Sequence, residues 1–125
     1  MKNIILLILL SSIQLFAFKS DVKQIFAFTI YDEKGHGENI QNIRKTVNDY
    51  NGICFTKIFL RGSNLNIKPK VMIGNSKGKY VDSKPVYKNK IMIGKIMTYK
   101  HLGVDEGLLK IIFRKKLYDA RVYVK

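Results

Sequence analysis

The densest set of groups able to do chemistry is the stretch Asp32-Glu33-Lys34-Gly35-His36-Gly37-Glu38. Carboxylates and an imidazole this close, between flexible glycines, could hold a divalent cation loosely. Their spacing, however, fits neither a calcium loop nor a zinc motif of the HExxH kind. Asp32 and Glu33 serve better as solvated turn residues, and Glu38 as a carboxylate in the first turn of a helix, where its charge suits the dipole. No metal ligand is assigned. His101 is followed closely by Asp105 and Glu106, and a histidine near acids can move protons. Yet the chain has only 2 histidines. They fall in different loops, and no nucleophile is tied to either. Gly74-Asn75-Ser76-Lys77-Gly78 is too short and wrongly flanked for a phosphate loop, and reads as a hairpin turn.

The chain has 1 cysteine. Cys54 sits between Ile53 and Phe55, so it reads as a small buried hydrophobe. A reactive thiol needs a basic, accessible niche, and the nearest cation in sequence is Lys57. A triad assembled in space around Cys54 stays open at this level. No catalytic residue and no cofactor is expected, and a non-enzyme is the reading these residues favour.

Charge is the strongest compositional feature. The chain carries 23 Lys and Arg against 9 Asp and Glu, a net charge of +14. From Ile53 to Val104 there are eleven basic residues and a single acid, Asp82. Such a field attracts anionic partners. Of the basic residues, 19 are Lys and only 4 Arg, and Arg is the side chain suited to bidentate phosphate or carboxylate recognition. The richness in Lys, Ile and Asn also matches the bias of an AT-rich coding sequence. Tyr80, Tyr87 and Tyr99 are interleaved with lysines, and tyrosine between lysines on strands can form a surface for stacking and charge. The expected binding face is Lys70, Lys79, Tyr80, Tyr87, Lys88, Lys90, Lys95 and Tyr99. Its expected partner is an acidic protein or an anionic envelope polymer, and nucleic acid is the least expected because no recognition motif is present.

The compartment is read from the first residues. Lys2 precedes the apolar run Ile4–Leu10, the apolar character resumes after Ser11-Ser12, and Ala17 offers a small residue for cleavage. That order marks a secretory signal peptide at 1–17, followed by a single mature domain at 18–125. The stretch falls short of the roughly 20 apolar residues of a spanning helix. A membrane role follows only if the segment stays uncleaved, and the expected location is periplasmic or secreted.

The elements that must position these residues come from periodicity. Val22–Tyr31, Ile53–Leu60, Lys70–Ile73, Lys79–Val86, Lys90–Tyr99, Leu108–Arg114 and Tyr118–Val124 read as strands. Leu109, Ile111 and Phe113 alternate on one face of the last hairpin, opposite Tyr118, Ala120, Val122 and Val124. His101 to Gly107 reads as a turn. Between the first two strands, Ile40, Ile43, Val47 and Tyr50 are spaced as one face of a helix over Glu38–Tyr50, with Asn51-Gly52 as its stop. The expected fold class is α+β, mainly antiparallel β as a sheet, small sandwich or barrel, with that one helix packed on it. The leading functional expectation is an exported, non-enzymatic accessory or binding module. Two alternatives are a small enzyme or redox protein using Cys54 or the His36 loop, and a structural subunit of an envelope assembly.

Overall fold

A computed structural model describes residues 21–125; residues 1–17, where a signal peptide is expected, lie outside the described residues. Alternating burial begins at once. β1 (Asp21–Asp32) turns Ile25, Ala27 and Ile30 inward, and β3 (Gly52–Ser63) does the same with Cys54, Thr56, Ile58 and Leu60. β2 (Gly37–Asn39) is a short partner of β1. β4 (Lys70–Ile73), β5 (Ser76–Lys77), β6 (Lys79–Lys88), β7 (Ile91–Val104), β8 (Gly107–Phe113), β9 (Lys116–Asp119) and β10 (Tyr123–Val124) complete the chain.

The strands form two sheets in which every ladder is antiparallel. One is five-stranded in the order β2-β1-β3-β7-β6, and the other runs β10-β8-β4-β5, with β9 also paired to β8. The core lies between them, where Ile25, Ile58 and Met97 of the first sheet share a cluster with Val71, Leu109, Ile111 and Val122 of the second. Two-residue turns join β6 to β7 through Asn89-Lys90 and β8 to β9 through Arg114-Lys115. All four residues have positive φ between 52° and 64°, the geometry that matches the right-handed twist of a hairpin.

The expected helix is absent: no helix occurs among the described residues, and the fold is all-β rather than α+β. Residues 40–51 instead form an irregular crossover held by long-range hydrogen bonds. The Glu38 carboxylate accepts the N–H groups of Val47 and Asn48 at 2.8 and 3.0 Å and the Tyr50 hydroxyl at 2.8 Å. Backbone bonds from Thr46 to Tyr123, Tyr123 to Arg44 and Tyr50 to Lys125 zip the segment along the C-terminal strand. Asn39, Asn42, Thr46, Asn48 and Asp49 are poor helix formers because their side chains compete for backbone groups, as Asn39 does in accepting the N–H of Gln41. Ile40 and Tyr50 do reach the core, but Val47 is 75% exposed, so the apparent helical face does not exist.

Two smaller differences follow the same logic. The ladder of β7 runs through His101, which pairs with Cys54, so the expected turn begins only after Val104. The last expected strand is split into β9 and β10, and at the break the buried Asp119 accepts the Ala27 N–H of β1.

Candidate functional site

Each face of the five-stranded sheet does a different job. On the inner face Thr56, Tyr99 and His101 are buried with the core. The outer face is read from register. Phe55 lies opposite Tyr31 and Lys100, Lys57 opposite Thr29 and Thr98, and Phe59 opposite Phe26 and Ile96. β6 adds Lys79 beside Lys100, Asp82 beside Thr98 and Lys84 beside Ile96. Cross-strand neighbours share a face, so these residues form one continuous surface. Its aromatic residues are half-buried. Tyr31 stacks on Phe55 with ring centroids 5.1 Å apart and planes 8° from parallel, and Phe26 lies against Phe59 at 5.6 Å.

Lysines crown these rings. Lys57 Nζ is 5.9 Å from the Tyr31 centroid and Lys100 Nζ 5.8 Å from that of Phe55. Between them, Tyr31, Lys57, Asp82, Lys84 and Thr98 border a shallow depression of about 120 Å³. Partial burial raises the Tyr31 pKa, and the Asp82 charge adds to it.

The expected binding residues do not form one face. Lys79 belongs to this outer surface, whereas Tyr80 and Lys95 lie on the inner side and line a separate groove. Tyr99 is 2% exposed; its hydroxyl donates to the Pro69 carbonyl at 2.6 Å, its ring meets Tyr80 edge-on, and burial drives its pKa well up. Tyr87, Lys88 and Lys90 sit at the exposed tip of the β6–β7 hairpin. Lys70 is on the other sheet, opposite Ile112. Tyr31, Phe55, Lys57, Lys84 and Lys100, which share the outer surface, are not among the eight expected binding residues. The signal was present in the parity of the strands, since 55, 57 and 59 alternate with the buried 54, 56 and 58.

Comparison with protein-family models, with curated proteins and with solved structures finds no significant match.

The groups considered for catalysis are placed otherwise. Asp32 caps its own turn, accepting the N–H groups of Lys34 and His36 at 2.9 Å each, and Glu38 is spent on the crossover. Burial alone would raise the Glu38 pKa, but the bonds from Val47, Asn48 and Tyr50 outweigh it and the net shift is downward. Among the described residues, no three His, Cys, Asp or Glu come together as a metal site would require.

Cys54 and His101 are cross-strand neighbours, which the sequence did not show. Both are 0% exposed. His101 Nε2 and Thr56 Oγ1 share a hydrogen bond at 2.8 Å, while Nδ1 has no partner at hydrogen-bonding geometry. Burial lowers the His101 pKa to about 4, offset only in part by the Ser76 backbone, and pushes the Cys54 thiol up to about 12. The thiolate is the nucleophile, so this pair is equipped for packing. Native Cys54 is expected to resist a disulfide reagent until the protein is unfolded by denaturant. Rapid stoichiometric labelling of the folded protein would show the opposite.

Proposed function

We propose that this protein is an exported, non-enzymatic binding module whose outer sheet face holds an anionic envelope polymer, best matched by an acidic polysaccharide. The observation that carries this reading is the outer surface, where Lys57, Lys79, Lys84 and Lys100 share one face with the Tyr31–Phe55 stack. Asp82 is the acid set among them. Aromatic rings offer flat apolar area to a sugar face, and ammonium groups spaced across three strands suit a chain carrying repeated negative charge. Export is supported by the signal-like pattern of residues 1–17. A stacked Tyr–Phe pair is also a reason to prefer a polymer with flat rings to an acidic protein surface.

The edge strand β6 fits a surface that binds without self-pairing. Lys79, Lys84, Lys88 and Pro85 line it, and lysine and proline are the usual means of keeping an edge from recruiting another strand.

The test is binding of polygalacturonate to the full chain, followed by sedimentation at rising salt. Binding is expected to weaken steeply with ionic strength and to be lost in the Lys57→Glu/Lys100→Glu variant. Lys110→Glu/Lys115→Glu, the same change in net charge at exposed positions away from this face, should weaken it only slightly. Equal loss in both variants would reduce the effect to net charge. Binding that ignores salt, or an acidic protein captured where the polysaccharide is not, would refute the polymer reading.

A further inference from the structure

We infer that the groove on the inner side of β6 and β7 is a site for a small soluble amphipathic acid, a carboxylate on a short apolar tail. The groove lies on the opposite face of the sheet from the polymer-binding surface, and the two readings stand or fall separately. It measures about 460 Å³, within the range of small-molecule sites. The 64–69 loop closes one side and is pinned there by the bond from Tyr99 to Pro69.

Floor and rim differ in chemistry. Leu65 and Met97 are 2% and 3% exposed, and Ile67 packs against the same core, giving an apolar floor. Two ammonium-bearing residues, Lys68 and Lys95, stand at the walls, and no acid lines the groove. Lys95 lies between Leu60 and Pro85 in the ladders, so neither cross-strand neighbour neutralises it. Lys68 Nζ is held 4.4 Å from the Tyr80 ring centroid. The Tyr80 hydroxyl donates to Ser83 Oγ at 3.0 Å, which leaves the Ser83 proton for a ligand oxygen. Two cations and a hydroxyl donor beside an apolar floor suit an oxyanion with a hydrophobic body. A neutral lipid would leave the charges unmet, and a cation would be repelled.

Decanoate, below its micelle concentration, is the probe. It is titrated into the full chain carrying methionines labelled with carbon-13 at the methyl group. The Met97 methyl should shift saturably, while Met72 and Met92, which do not line the groove, stay fixed. Decanol and decyltrimethylammonium should bind at least about tenfold more weakly, and Lys68→Gln and Lys95→Gln should each cost about tenfold in affinity. Lys57→Gln, on the outer face, should leave decanoate binding unchanged while weakening the polymer. Because these lysines are not buried, the unliganded Met97 signal verifies that each variant is folded. An unmoved Met97 methyl, equal affinity for decanol, or lysine variants of full affinity would overturn the site. Displacement of decanoate by phosphatidylglycerol vesicles would overturn the soluble ligand in favour of a bilayer.

Discussion

Replacing Asp119 with alanine is expected to cost about 3 kcal/mol of folding stability, roughly 15 °C in melting temperature for a chain of this size. Asp119 is 5% exposed and ties together segments far apart in sequence. Its Oδ2 accepts the Ala27 N–H at 3.0 Å, beside the irregularity where β1 slips register against β3. Its Oδ1 accepts Arg121 Nε at 2.8 Å, and Oδ2 also accepts Arg121 Nη2 at 2.9 Å, a two-pronged pairing. The guanidinium then donates onward to the Ala27 carbonyl at 3.0 Å and to the Gln41 carbonyl. One carboxylate thus joins the β1 irregularity, the crossover and the β9–β10 corner. Alanine would leave the Ala27 N–H buried without a partner, a loss of about 1–3 kcal/mol, and would remove the charge-assisted bonds as well. The Arg121 side chain is 39% exposed, so its charge can return to water, which keeps the loss below that of a fully buried pair. Asp119→Asn keeps an acceptor for Ala27 and should cost about half as much. Urea titration of the three proteins checks this. A loss under about 1 kcal/mol for alanine would mean that the cluster decorates the fold without holding it.

That cluster also shows where sequence legibility ends. Strands β1, β3, β4, β6, β7 and β8 are visible because runs of apolar, aromatic and β-branched residues lie between glycine, proline and asparagine turn signals, and only β8 also alternates cleanly; both signals are local properties. Asp119 falls in an alternating strand and gives no sign that it binds Ala27, 92 residues away, or that Arg121 beside it reaches the same residue across 94. The crossover failed for a related reason. Apolar spacing at Ile40, Ile43 and Tyr50 resembles a helix face, but the segment is shaped by Glu38 and by the C-terminal strand, which no window of neighbouring residues contains. His101 reads as a turn residue in the stretch up to Gly107, yet the ladder with β3 carries the strand past it. The candidate site was half legible. Lysine and tyrosine density on β6 and β7 points to two of the strands that carry the proposed surface, but grouping residues by nearness in sequence mixes two faces. Sorting them by parity separates Lys79 and Lys100 on one side from Tyr80 and Lys95 on the other.

The inner face gives the protein an acid sensitivity that begins well above the carboxylate range. His101 is fully buried and neutral, held by Thr56 and packed so closely that a Cβ at Gly78 would come within 2.8 Å of its ring. The unfolded chain takes up this proton near the ordinary histidine value of 6.5, the native state only near 4. Between those values the unfolded state binds more protons, so stability falls as the pH falls. The full contribution is present above pH 6.5 and is lost progressively toward pH 4, a total of about 3 kcal/mol. Glu38 acts in a lower window. Its pKa is depressed below 4.5 by the crossover hydrogen bonds, so the stability it contributes is present above that value and disappears only as the pH falls below it. The two are separable by urea midpoints measured across the range. His101→Gln, which keeps a polar partner for Thr56 and cannot titrate, is expected to begin less stable but to lose most of the slope between pH 6.5 and 4.5. Glu38→Gln should keep that slope and flatten the curve beneath it. A wild-type protein whose midpoint stays constant from pH 7 to 4.5 would mean that His101 is protonated in the folded state at little cost, with its Nδ1 satisfied by water or backbone.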